Sequence, residues 1–149
     1  MTSPHADNPG RDWRAFDDLV RFETVLWARV DAALRSEAGL TLGDLSVMTV
    51  VAGLDGCKVT DLVRALAITV GGASQAADRV VRRGLCERRT DPTDARSSVL
   101  VLTADGRGQL ARGRPVADLV LHEHFSVLGE AAGNMFRETL RLLRTAALD

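Results

Sequence analysis

The sequence predicts a mainly α fold with a small β-hairpin wing (α+β), and three observations predict it. Apolar residues recur at spacings of three and four over most of the chain, which is the helical period. The exception is the stretch 85–102, where two short apolar or charged runs flank the turn cluster Asp91-Pro92-Thr93-Asp94. Just before it, two short helical patterns are separated by only two or three residues, the arrangement of a helix-turn-helix.

Each element follows in order. Met1–Gly10 holds two prolines, a glycine and no apolar period, and is expected to be a disordered lead-in. A long helix is expected from Asp12 to Gly39, its stripe built from Trp13, Phe16, Leu19, Leu26, Trp27, Val30 and Leu34. That aromatic stripe is long for a small domain and needs a cover. A second helix runs from Leu42 or Gly43 to Leu54, before the turn Asp55-Gly56. A third opens at Thr60, expected as its N-cap with Asp61 on the helix dipole, and ends near Ile68. Thr69 caps a fourth helix that reaches Arg83, with Gly84 ending it. Leu85–Arg89 and Ser98–Leu102 make the hairpin. Thr103 caps a fifth helix, weak at Gly106, Gly108 and Gly113 and expected to kink or break at Pro115. Leu128-Gly129 precedes a last helix from Glu130 to Ala147.

Composition narrows the class. The 149 residues are 46% hydrophobic and 26% charged, an ordinary globular mix, and one domain over 11–149 is expected. The longest run without a charged residue, Ala65–Ala77, is 13 residues, too short for a membrane span. The N-terminus has no basic run followed by an apolar one, so a cytoplasmic protein is expected. Two cysteines, Cys57 and Cys86, do not make a disulfide framework. No phosphate-binding glycine loop follows a strand and no nucleophile motif is present, so an enzyme is not expected, nor a cofactor.

Charge is unevenly spread. The net charge is −1, yet residues 58–103 carry 8 basic and 5 acidic side chains, net +3. Five arginines and one acid fall between Arg79 and Arg89. Helices followed by a basic hairpin make a winged helix-turn-helix over 58–103. An α-helix fits the major groove of B-DNA, and the first turn of the second helix of the pair meets base edges. That turn is Thr69, Val70, Gly71, Gly72, Ala73, Ser74 and Gln75, with Arg79 one turn on. Thr69 and Ser74 can reach phosphates or bases, Gln75 suits adenine, and Gly71 and Gly72 admit close backbone approach. Arg88, Arg89 and Arg96 are candidates for a narrow minor groove, with Asp94 and Ser97 beside Arg96 at the tip.

These residues resemble the MarR family of bacterial transcriptional regulators. Asp94-Ala95-Arg96, then Val99-Leu100-Val101-Leu102-Thr103 and Gly106, is similar to that family's wing. Asp78-Arg79-Val80-Val81-Arg82-Arg83-Gly84-Leu85-Cys86-Glu87-Arg88 resembles the run before it. The resemblance implies a homodimer held by the terminal helices, 11–39 and 104–149, on double-stranded DNA with a pseudo-palindromic operator. It also implies that Arg96 enters the minor groove, with Asp94 positioning it through a salt bridge. A small aromatic or lipophilic effector that releases a repressor is implied as well, with Trp13, Phe16, Trp27, Met48 and His122 as candidate lining; core packing alone accounts for Trp13, Phe16, Trp27 and Met48 equally well. The chain departs from the family in Ala95, where arginine is frequent, and in the glycine-rich start of the reading helix.

Two other readings stand beside this one. Cys57 precedes Lys58, which could lower its pKa and make a redox sensor, whereas Cys86 suits a small core position. A winged helix used only for protein contact, with no operator, is the second. Asp118 and His122 at i, i+4 are half a metal site and lack further ligands, so no metal is expected.

Overall fold

The computed structural model describes residues 10–148, so all of the expected lead-in except Gly10 lies outside the described residues. Six helices and one hairpin follow in the order α1 (Arg11–Ala38), α2 (Leu42–Ala52), α3 (Val59–Leu66), α4 (Val70–Arg82), β1 (Cys86–Asp91), β2 (Asp94–Leu102), α5 (Ala104–Ser126) and α6 (Gly129–Leu148). Expected and observed helices agree to within a few residues. The first 28-residue helix ends at Gly39, whose φ of 63° suits glycine and lets the chain leave in the left-handed region.

The caps show why the short helices start where they do. Thr41 accepts from the Asp44 backbone N–H while the Asp44 carboxylate accepts from Thr41 N–H, a reciprocal box at the head of α2. Thr69 accepts from Gly72 N–H at 3.1 Å and Thr103 from Gly106 N–H at 2.9 Å, as expected. Thr60 is not the cap of α3. The helix starts one residue earlier, and Asp61 reaches back to accept from Lys58 N–H at 2.8 Å. α3 also stops at Leu66, because Ala67 turns into the left-handed region (φ 51°) to begin the sharp turn into α4.

Pro115 does not interrupt α5, which runs unbroken through it. Proline leaves the carbonyl four residues earlier without its donor. Here both Pro115 and Ala111 are exposed, so water can satisfy that carbonyl. Two of the three glycines of α5, Gly106 and Gly113, serve packing, whereas Gly108 has only the end of the Arg112 side chain near it. A Cβ on Gly106 would lie 1.9 Å from the Leu85 carbonyl oxygen, and one on Gly113 would lie 2.9 Å from Leu40 Cδ1.

The core gathers Val30 and Leu34 of α1, Met48 of α2, Leu62 of α3, Val80 of α4 and Leu100 of β2. The strands pair antiparallel, with Arg88 opposite Leu100 and Arg89 opposite Val99. Cys57 adds a single bridge on the other edge of β2, exchanging N–H···O bonds of 3.1 and 2.7 Å with Leu100. The linker before α3 therefore acts as a third, one-residue strand, and it pins the hairpin to the helical body.

Candidate nucleic-acid interface

α4 presents two opposed faces. Ala73, Ala76, Ala77 and Val80 are buried, while Gly71, Gln75, Asp78 and Arg82, on the opposite side, are exposed at the i, i+4, i+7, i+11 spacing. Small alanines on the inner face let the helix sit close to α2 and α3, which thrusts the outer face outward. Thr69 and Val70 are exposed at its head, Val70 by 64%, whereas Ser74 and Gly72 are half-buried. Nothing lies within 4 Å of where a Gly71 Cβ would stand, so that glycine leaves open space in front of the helix. Arg82 was not among the sequence candidates. Its signal was present in the sequence, seven residues beyond Gln75 on the same stripe.

The arginines differ in what holds them. Arg79 is turned into the protein, where its Nε donates to Asp44 Oδ1 at 2.8 Å. Arg83 donates to Asp44 Oδ2 and, at 2.6 Å, to the carbonyl of Gly39. Asp44 is fully buried between them. Burial raises its pKa, but hydrogen bonds from Arg79 and from the Thr41 side chain and backbone outweigh that, leaving the carboxyl below its ordinary value. Arg88 donates to Asp78 Oδ1 at 2.7 Å and so ties the wing to α4. Arg89 pairs with Glu87 on its own strand at 2.8 Å. The register explains the split. Arg88 shares a face with Leu100, toward α4, and Arg89 shares the opposite face with Val99.

The wing tip is organised by Asp91, which sequence reasoning placed only as a turn residue. Its carboxylate takes Lys58 Nζ at 2.6 Å, the N–H and hydroxyl of Thr93, and the Ser97 hydroxyl at 3.0 Å. The hydrogen bond from the Lys58 ammonium, followed by those from Thr93, holds that carboxyl far below the usual carboxylate range. Ser97 is therefore committed within the tip. The salt bridge expected between Asp94 and Arg96 is not formed; instead the Arg96 backbone N–H donates to Asp94 Oδ1 at 3.0 Å. This Asx-type turn leaves the Arg96 guanidinium outside every ion pair among the described residues.

The surroundings of Cys57 disfavour its thiolate. Both cysteines are buried, and burial pushes each thiol up to about 11. The ammonium of Lys58, expected to act in the other direction, is engaged by Asp91 instead.

A cavity of about 640 Å³ opens between α1, α2, α5 and α6. Trp27 lines it with Phe22, Leu26, Leu45, Phe125 and Phe136. Of the other candidates for effector contact, Met48 is fully buried in the core, His122 is exposed, and Trp13 and Phe16 form a tilted pair with ring centroids 5.7 Å apart elsewhere on α1; none of the four lines the cavity. A second groove of about 400 Å³ lies behind the wing, between α2, the strands and α5, and Arg89 lines it. Among the described residues no three metal-ligating side chains come together, and no helix is long and apolar enough to cross a membrane.

An exposed reading helix braced to a two-stranded wing defines a winged-helix DNA-binding protein. The MarR family description matches residues 38–97. HosA, a transcriptional regulator of Escherichia coli O111:H-, is 30% identical over 107 residues, 72% of this chain and 79% of HosA. The chain belongs to the MarR family of transcriptional regulators, a regulator's fold rather than an enzyme's. Solved structures share the fold. Sco3205, a MarR family regulator of Streptomyces coelicolor in complex with DNA, superposes with a TM-score of 0.82 at 20% identity, over 94% of this chain and 93% of that one. CouR of Rhodococcus jostii RHA1, bound to p-coumaroyl-CoA, gives 0.76 at 22% identity, over 85% and 88%.

Proposed function

We propose that this chain is a homodimeric, sequence-specific repressor working on DNA in the cytoplasm, released by a small apolar effector. The observation that carries the DNA reading is the pairing of an open first turn on α4 with a tip arginine, Arg96, that the protein leaves uncommitted. Thr69, Val70, Gly71 and Gln75 would meet the major groove. Arg82 would meet the backbone, and Arg96 the minor groove, where the potential is most negative. Arg79, Arg83, Arg88, Asp94 and Ser97 would hold those groups in place, and Arg89 faces the other way. The homodimer is supported by apolar side chains that a monomer leaves in water: Trp13 is 67% exposed on α1, and Met135 72% and Leu143 59% on α6. Two reading heads on one rigid dimer require half-sites about one helical turn apart. A ligand in the cavity beside α1, α2 and α5 releases DNA if it binds better to the dimer whose heads are wrongly spaced.

The test is fluorescence anisotropy with DNA from just upstream of the protein's own gene, titrated with salt and set against scrambled competitor. Tight selective binding with a steep salt slope is expected. Weak binding indifferent to sequence at that site and at selected sequences would leave the winged helix as a protein-contact module.

A further inference from the structure

The two cavities share one residue, Arg114, and lie in succession along a single seam. On α2, Leu42, Leu45 and Thr49 line the first and Val51, Ala52 and Leu54 the second. On α5 the second cavity takes Arg107, Leu110, Ala111 and Arg114, and the first continues from Arg114 to Phe125. The chemistry changes at the junction. The first cavity is walled by aromatic and aliphatic side chains, and its acids, Glu23 and Asp118, would repel an anion. The second is lined by three arginines and no acid. Arg89 is partly neutralised by Glu87, and Arg107 donates one N–H to the Leu102 carbonyl. Arg114 makes no ion pair among the described residues and stands where both cavities meet.

We propose that the α2–α5 seam binds one elongated ligand, an apolar acyl or aryl body in the first cavity joined to a phosphate-bearing tail held by Arg114 and Arg107. The proposal rests on the effector reading above and specifies its chemical class. Phe125 and Arg107 are about 27 Å apart along α5 at the usual rise of 1.5 Å per residue. A compact aromatic acid seated in the first cavity can reach Arg114 but not Arg107, and there its carboxylate would sit one helical turn from Asp118. Arginine suits the tail because its planar fork binds phosphate oxygens in pairs.

Calorimetric titration of the full chain tests this with benzoyl-coenzyme A, dodecyl lysophosphatidic acid, benzoate and the uncharged N-phenyl-1-naphthylamine. At least one phosphate-bearing probe is expected to bind much more tightly than benzoate. The Arg107→Gln/Arg114→Gln protein should bind that probe about tenfold or more weakly, and the single Arg107→Gln protein, altered only outside the first cavity, should bind naphthylamine unchanged as the sign of an intact cavity. The thioester and the lipid distinguish a nucleotide carrier from a lipid headgroup as the source of phosphate. Benzoate binding as tightly as both phosphate probes, or full affinity in the double variant, overturns the proposal. Operator titrations run in parallel separate the two readings. Arginine-dependent binding without DNA selectivity removes the repressor and keeps the ligand site, and the converse removes only the ligand class.

Discussion

Asp44 carries the most informative perturbation. Its carboxylate takes both Arg79 and Arg83 and closes the cap of α2, so it joins the reading helix to the end of α1 through Arg83 and Gly39. Breaking a fully buried ion pair costs about 3–5 kcal/mol. Here the two guanidinium side chains remain 42% and 36% exposed and can rehydrate, so roughly half of that applies. Losing the cap adds about 1 kcal/mol. Asp44→Ala is therefore expected to lower stability by about 3 kcal/mol, or roughly 6–12 °C in Tm for a chain of this size. Asp44→Asn retains a capping oxygen and should lose about 1 kcal/mol less. The assay is urea unfolding followed by circular dichroism at fixed protein concentration, because dimer formation would couple stability to concentration. The pH dependence has a definite sign. The folded pKa is depressed, so the contribution is fully present above the unfolded value of about 3.9 and is lost as pH falls through the folded one. The difference between wild type and Asp44→Asn should shrink in that acid window. Two variants within 0.5 kcal/mol of wild type, or a gap that does not change with pH, would refute the argument.

Four further outcomes are expected. Arg96→Ala should weaken operator binding by about 1–3 kcal/mol while leaving the Tm unchanged, and equal affinity in anisotropy would remove the tip from the interface. Met135→Glu with Leu143→Glu should convert a dimer to a monomer or aggregate in sedimentation, and an unaltered dimer would place the interface elsewhere. Gly106→Ala should cost more than about 3 kcal/mol or prevent folding, since its Cβ would strike the Leu85 carbonyl; a near-wild-type urea midpoint would contradict that packing. Ala67→Gly should raise stability by about 0.5–1 kcal/mol, because relief of a left-handed alanine exceeds the entropy that glycine adds to the unfolded chain; a loss would show that the turn carries no strain.

Local physics was legible in the sequence, and distant partnership was not. Thr69 and Thr103 announce helices because a cap needs only the next three residues. The wing is legible because its turn residues and β-branched run are adjacent. Thr60 misled because two neighbouring residues, Lys58 and Asp61, close the helix end without it. The roles of Arg79 and Arg83 depend on a carboxylate more than thirty residues earlier, which no local spacing reveals. Lys58 belongs to Asp91 for the same reason, and the Cys57 thiol is governed by burial, which sequence proximity to a lysine cannot report. Met48 and Trp27 both read as apolar helix positions, and only the packing of four helices decides that one is core and the other lines a cavity.

The parity of the wing constrains how this protein can change. Arg88 braces α4 and Arg89 lines the rear groove because they are consecutive residues of one strand, whose side chains point to opposite faces. Cys57 holds the opposite strand from outside. A single-residue insertion between Gly84 and Glu87 would exchange the faces of the two arginines, detaching the reading helix and turning Glu87 toward Asp78 at once. Insertion of two residues at the same place would restore each side chain to its face. Length variation in this hairpin should thus be tolerated in steps of two near the body, whereas the tip, closed by the bonds of Asp91 to Thr93 and Ser97, fixes its own length.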